Sequence, residues 1–542
     1  MQAPHWIPAT QRLLAISEVL IQVAEDADDK FTVASLARTC RDFCSPALDV
    51  LWRSQVGLAN IVKCMPPDLW EIREDGGRSS HPMLMFMFRR PMCASDWDRF
   101  NVYAPRIREL TLYLCDRGNT RLPGNVYATL NMHAPSLPLF PSLRNWRCYD
   151  IPHATVVPDH WLFLGSSLAE LVLEWDVLDE RAAFLMACLP FICPKLRTLR
   201  IRVRRGFASY LIWLQPTPFS SLKELRTFEI RSMVDIPVDT LMAELQSLPW
   251  LSDLTLNRYP GPLWASPAAT IEAPPSFRAL TSLQLAGDPG NSCMSVLATS
   301  YFPALEELYI KAAAFGPLDH IFRTIHDHCS HTSLHTLHVT DGVKLREDTP
   351  DFEPLAHPAH FRYLHAFRGL EEVWIETLHG ILLTDDDLRD MALAWPRLRA
   401  LRLLPSENLL PGPPTFEPAG TLAGLAHFAL HCPDLGSLAI AIDTSEAHKM
   451  DILSAFPALL ERVSALTHLL LGQCEPMGKP EAIATSLAII FPNLEEVLGS
   501  YPDPFLSDVW EEVDRLYPKC LREHNARRQQ LKDMFGASRA AQ

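Results

Sequence analysis

CPKLRTLRI (193–201), LPWLSDLTL (248–256), FPALEELYI (302–310), WPRLRALRL (395–403), CPDLGSLAI (432–440) and FPNLEEVLG (491–499) are versions of one nine-residue phrase. Looser versions fill the gaps, so that a leading leucine recurs from Leu168 to Leu494, with weaker copies at Ile107 and Leu143. The spacing runs from 25 residues (Leu280 to Leu305) to 37 residues (Leu398 to Leu435). A supersecondary unit repeated at such a period sets the architecture. In L-x-x-L-x-L the last two apolar residues are two apart, which is strand spacing. The proline ahead of the leucine ends whatever helix precedes it. LTDDDLRDMALAW (383–395) is such a helix, with Leu388, Met391, Ala392 and Trp395 on one stripe and Thr384 as its N-cap; TLAGLAHFALH before Cys432 reads the same way. One unit is therefore strand, loop, helix and proline stop. No such unit buries its apolar face alone, whereas stacked units share a core. The expected fold is α/β: a solenoid with parallel strands on the concave side and helices on the convex side, each buried leucine contributing about 1.5–3 kcal/mol.

Composition narrows the function. Lys and Arg number 49 against 64 Asp and Glu, a formal charge of −15, so no nucleic-acid partner is expected. The 45 prolines act as spread punctuation, although PSENLLPGPPTFEP (405–418) is long for a simple connection. The 13 cysteines show no paired spacing, and Cys193 and Cys432 fill slots that other repeats give to Phe, Trp or Leu. No stretch is long enough to span a bilayer and no signal pattern opens the chain, so a cytoplasmic or nuclear setting and no membrane partner are expected. HPMLMFMF (81–88) is the most apolar short run and has strand length.

Residues 11–54 lack the repeat. QRLLAISEVLIQVAED carries an apolar stripe at Leu13, Ile16, Leu20 and Val23; VASLARTCRDF carries Leu36, Cys40 and Phe43; SPALDVLWRS opens on Ser45-Pro46, a helix-start pair, and carries Leu48, Leu51 and Trp52. Three helices in so few residues make little core of their own and need a partner or the neighbouring domain to complete them. The expected division is a helical module at 10–55, a transitional segment at 56–104, repeats over 105–502, and a C-terminal helical cap and tail at 503–542, with Phe505, Val509, Trp510 and Leu516 facing the last repeat.

The order of these residues is informative. Glu18-Val19-Leu20, then Leu36 with Cys40, Arg41 and Phe43, then Leu51-Trp52-Arg53, resembles the F-box-like domain of fungal F-box/leucine-rich-repeat proteins, and the repeats resemble a long, irregular form of the leucine-rich repeat. Ser17 stands where that family usually has proline. The resemblance implies a substrate receptor of a cullin–RING ubiquitin ligase. Glu18, Val19, Leu20, Leu36, Cys40, Phe43, Leu51 and Trp52 would meet a Skp-type adaptor and, through it, a cullin, while the repeats hold a target protein. The rival reading is a non-ubiquitin repeat scaffold whose N-terminal helices only cap the solenoid.

Signatures of catalysis are poor: there is no Gly-x-Ser-x-Gly elbow, and neither an enzyme activity nor a cofactor is expected. HDHCSH, with His326, His328, Cys329 and His331, reads as a polar helix end rather than a zinc site, and Asp385, Asp386 and Asp387 read as helix-start carboxylates rather than a metal site. More informative are the strand positions between and after the buried pair, which stack into rows about 5 Å apart. They spell Arg200 and Arg202, Glu229 and Arg231, Thr255 and Asn257, Gln284, Tyr309 and Lys311, His338 and Thr340, Trp374 and Glu376, then Arg402, before turning apolar at Ala439, Ala441 and Leu470. The expected partner-binding residues are Arg200, Arg202 and Arg231, adjoined by Arg204 and Arg205, for an acidic or phosphorylated segment, and Tyr309, His338 and Trp374 for an apolar one.

Overall fold

A computed structural model describes residues 16–27, 29–75, 83–113, 120, 122–149, 160–175, 180–203, 219–232, 238–258, 276–287, 291–312, 318–341, 358–377, 381–405, 418–472, 478–500 and 504–540. Arg204, Arg205 and most of the Pro-rich stretch at 405–418 lie outside them. The chain forms two compact units: Met1–Val234 with Ser247–Leu251, and Asp235–Gln246 with Ser252–Gln542.

The first unit opens with three helices, α1 (Ser17–Glu25), α2 (Lys30–Leu36) and α3 (Arg41–Arg53). Asp29 caps α2 by accepting from the Thr32 amide at 2.8 Å. The second helix ends earlier than its sequence suggests. Cys40 becomes the N-cap of α3, and Pro46 lies inside α3 instead of opening it. Strand β1 (Ser54–Val56) follows α3 at once and pairs in parallel with β4 (Glu109–Tyr113), so the sheet of this unit begins at residue 54. Between them, β2 (Trp70–Asp75) and β3 (Met83–Phe88) form a separate antiparallel pair. Strands β5 (Asn145–Tyr149), β6 (Glu170–Trp175), β7 (Thr198–Val203) and β8 (Thr227–Ser232) continue the parallel series. The register aligns Leu110, Trp146, Leu171, Leu199 and Phe228 in one buried row and Leu112, Cys148, Leu173, Ile201 and Ile230 in the next. Helices α4 (Gly124–His133) and α5 (Glu180–Ile192) belong to the same unit.

The second unit repeats the plan with β9 (Asp253–Arg258), β10 (Ser282–Gly287), β11 (Glu307–Ala312), β12 (Thr336–Asp341), β13 (Glu372–Thr377), β14 (Ala400–Pro405), β15 (Ser437–Ile440), β16 (His468–Gly472) and β17 (Glu496–Ser500), each parallel to the next. Its longer helices are α6 (Val238–Gln246), α7 (Asn291–Ala298), α8 (Leu318–His328), α9 (Asp385–Ala394), α10 (Leu422–His431), α11 (Pro480–Ile490) and α12 (Pro504–Ala540). Each unit is thus an α/β stack of the leucine-rich-repeat type, as the phrase predicts.

Two local devices set the repeat. Trp395, Cys432 and Phe491, each followed by proline, adopt non-helical backbone at the ends of α9, α10 and α11 (ψ 65°, 79° and 79°), as a residue before proline must. Beyond the proline, one carbonyl just before most of the parallel strands accepts from two successive amides of the next coil. Arg399 O takes Gly436 N at 2.8 Å and Ser437 N at 3.2 Å, and Glu306 O takes His335 N at 2.9 Å and Thr336 N at 3.0 Å. Because this ladder uses only main chain, the side chains beside it vary without loosening the stack.

Thr384 and Asp387 form a reciprocal capping box on α9, and Asp385 accepts from the Thr421 amide at 2.6 Å and the Thr421 hydroxyl at 2.8 Å, tying two successive repeats together. These aspartates act as helix-start carboxylates. At the far end, α12 covers β17 and α11 with Trp510, Val513, Tyr517 and Cys520 buried. Tyr517 Oη donates to Phe491 O at 2.7 Å, and a Cβ on Gly499 would stand 2.0 Å from Trp510 Cδ1, so only glycine admits the indole. Within the stretch read as cap and tail at 503–542, the structure has one helix, Pro504–Ala540. Of the four residues named for it, Trp510 is buried, Val509 and Leu516 are half-buried, and the Phe505 side chain lies outside the described ones.

Candidate binding surfaces

In the helical head, Ala24, Val33 and Ala47 are the buried centre, with Leu36, Val50 and Leu51 packed around them. Most of these side chains are small, so the core is thin. Leu20 is buried, Val19 and Phe43 are half-buried, and Glu18 and Cys40 are exposed. Trp52 stacks on Tyr103 at 4.6 Å between ring centroids, and Arg106 pairs with Asp49 and donates to Ser45 O at 3.1 Å. So Leu20, Leu36, Leu51 and Trp52 serve packing within the first unit. The apolar side chains left on the head's surface are others: Ile16 (44% exposed), Val23 (46%) and Phe31 (77%). The sequence places the start of the second helix at Val33 and so passes over Phe31, which lies one residue into α2.

On the strand face of the first unit, Arg200, Arg202 and Arg231 converge on one carboxylate. Glu229, only 8% exposed, lies 3.3 Å from Arg200 Nε, 3.5 Å from a terminal nitrogen of Arg202 and 2.6 Å from Arg231 Nε. Arg202 Nη2 donates to Glu229 Oε1, whereas Arg200 Nε meets no hydrogen-bond geometry and is an ion pair by proximity. Next to them, Arg147 and Glu170 make a two-pronged pair at 2.9 and 3.1 Å. The register also sets Glu174 beside Arg202. The three arginines stand together, with Glu229 and Glu174 among them reducing their charge.

The strand face of the second unit carries a chain of rings. Tyr309 meets His338 edge-on at 4.8 Å, His338 lies 5.3 Å from Trp374, and the Arg402 guanidinium covers the Trp374 ring at 4.6 Å. His338 Nε2 is 2.8 Å from Glu372 Oε1, and Arg402 Nε donates to Glu376 Oε1 at 2.8 Å. Burial, reinforced by the Glu307 and Glu372 carboxylates, pushes the Tyr309 phenol upward and keeps it neutral. Past Arg402 the same row becomes Ala439, Leu470 and Leu498, and there a pocket of about 380 Å³ opens. The cap helix does not close it, and Leu498 stays 48% exposed.

The remaining sequence candidates have structural roles. His328 Nδ1 lies 2.8 Å from Ser300 O and His331 Nε2 lies 2.9 Å from His326 O, so these rings bind main-chain carbonyls near the end of α8. Among the described residues no group of His, Cys, Asp and Glu is arranged to hold a metal ion. Burial pushes the Cys148, Cys193, Cys329 and Cys432 thiols up to about 12, out of nucleophile range, and the cysteines among the described residues form no disulfide. No helix among the described residues is long and apolar enough to cross a membrane.

No family model matches this chain, and no characterised protein matches it in sequence. Among solved structures, the leucine-rich repeat-containing protein LegL7 from Legionella pneumophila is 10% identical, covering 63% of this chain and 90% of its own, with a TM-score of 0.26. A chain from the yeast complex of Rad7 and Elc1 is 13% identical, covering 68% and 76%, with a TM-score of 0.30. The fold assignment rests on the register and burial described above.

Proposed function

We propose that this protein is the substrate-recognition subunit of a Skp–cullin–F-box type ubiquitin ligase. The head binds the Skp-type adaptor, the repeat faces hold a target protein, and the chain does no bond chemistry itself. It raises the concentration of target beside a ubiquitin-loaded enzyme. The observation that carries this reading is the head: a thin core of Ala24, Val33 and Ala47 beneath the exposed apolar side chains Ile16, Val23 and Phe31. Such a surface suits a partner. Acidic or phosphorylated target segments suit Arg200, Arg202 and Arg231, where they would compete with Glu229.

Co-purification of the full chain with a Skp-type adaptor tests this. The wild-type chain should retain the adaptor and Phe31→Asp should lose it with no change in melting temperature. A wild-type chain that retains no adaptor would overturn the reading.

A second reading has its own support. Trp52 on Tyr103, Arg106 on Asp49, and the pairing of β1 with β4 all tie the head into the first unit, as a cap would be tied. On that reading the protein is a non-ubiquitin scaffold. Trp52→Ala would then lower the stability of the first unit, and Phe31→Asp would change neither stability nor any association.

A further inference from the structure

The pocket on the second unit has a chemistry of its own. Its floor is the row Ala439, Leu470, Leu498, and the depression exists because alanine stands between Arg402 and Leu470 in the register. Leu498, nearly half exposed, is a large apolar side chain left uncovered on a face whose opposite side is fully packed. The rim is acidic. Glu372 and Glu496 line it at opposite ends; Glu372 lies 2.8 Å from His338 Nε2, His468 stands beside Glu496 in the register, and Glu496 makes no ion pair among the described residues. The one lining arginine, Arg402, is already offset by Glu376 at 2.8 Å. Trp374 forms a wall, but its ring is covered by Arg402 and flanked by His338, so it is not a cage for an incoming cation. A cation entering here goes to the carboxylates. The strands beneath hydrogen-bond to each other along the floor, so an occupant is read through its side chains and not by strand addition.

We propose that this pocket binds a short basic–apolar segment of a partner protein: one leucine- or phenylalanine-like side chain seats on Ala439, Leu470 and Leu498, and the lysine or arginine residues on its two sides meet Glu496 at one end of the pocket and Glu372 at the other. The volume suits one large side chain and its flanking backbone. The rim selects positive charge over negative. This site is separate from the arginines of the first unit and prefers a partner of opposite charge. It needs no adaptor, so it stands or falls independently of the ligase reading.

The test is fluorescence anisotropy with the purified full chain and no adaptor present. The probe is a labelled peptide with a central phenylalanine flanked on each side by lysine and arginine; controls carry a central alanine or flanking glutamates. The phenylalanine peptide should bind saturably and weaken as salt is raised. Leu498→Ser and Glu496→Lys should each weaken it by about fivefold or more, the scale of a well-placed contact at an interface. Both side chains are exposed, so melting temperature should not move and serves as the folding control. Absence of binding, binding unchanged in both variants, or equal binding of the alanine peptide would each overturn the proposal. Binding of the glutamate-flanked peptide that is lost in Leu498→Ser would also overturn it, by showing that the same pocket takes acidic segments.

Discussion

The two units build their strand faces on one backbone plan and reach opposite results. In the first unit the face is charged, and Arg200, Arg202 and Arg231 gather on the buried carboxylate of Glu229. In the second, the face runs from stacked rings at Tyr309, His338 and Trp374 to bare aliphatic carbon at Leu498. The buried rows are alike in both: Leu199 and Leu337 are equally inaccessible. The contrast shows that the repeat uses alternate strand positions for separate purposes. Core positions are interchangeable between units, and face positions carry what distinguishes them.

The sharpest test of that division is the core. Leu199→Ala and Leu337→Ala should each cost about 2–5 kcal/mol, measured by urea unfolding followed by hydrogen exchange in the unit concerned. A large difference between them would mean that the cores are not equivalent. Smaller is Glu229→Ala. It leaves three arginines without their shared partner, but these are more than a third exposed, so water recovers part of the loss and about 2 kcal/mol is expected. The matching change in the second unit, Arg402→Lys, removes a planar cation from the face of Trp374 and should cost about 1 kcal/mol. Leu498→Ser, on the open face, should stay within about 0.5 kcal/mol.

Acid should separate the units as well. His365, His427, His431 and His524 all lie in the second unit, and burial holds each imidazole below its ordinary value. His365 Nε2 and His427 Nδ1 also lack hydrogen-bond partners. A histidine that protonates less readily folded than unfolded stabilises the fold above the unfolded value of 6.5, and that stability is lost as pH falls through it. Protection factors against hydrogen exchange in the second unit should therefore fall between about pH 7 and about pH 5. His365→Gln should flatten that dependence. A second unit indifferent to acid would show these rings to be solvated.

Much of this architecture was legible in the repeated phrase. Leu-x-Leu spacing marks a strand wherever it recurs, and Pro after Trp395, Cys432 or Phe491 ends a helix by sterics that need no neighbours. Thr384 with Asp387 announced its cap. The helical head was legible as helices but not in its boundaries: the α2–α3 break moved to Thr39-Cys40, because packing on the rest of the head outweighed the helix-start preference of Ser45-Pro46. Its exposed residues were not legible either, because an amphipathic stripe shows which side chains want burial and not which ones find it.

The sequence by itself determined the parallel strands, the helix stops and the rows of face residues, since these follow from local sterics and from a period of two along each strand. Only the tertiary structure decided that Glu229 serves three arginines, that Trp52 belongs to Tyr103, and that α12 covers the core of β17 while leaving Leu498 in the open. Each of those outcomes depends on which residues of different coils come within a few ångströms, and that distance is set by the stacking of whole repeats rather than by any one of them.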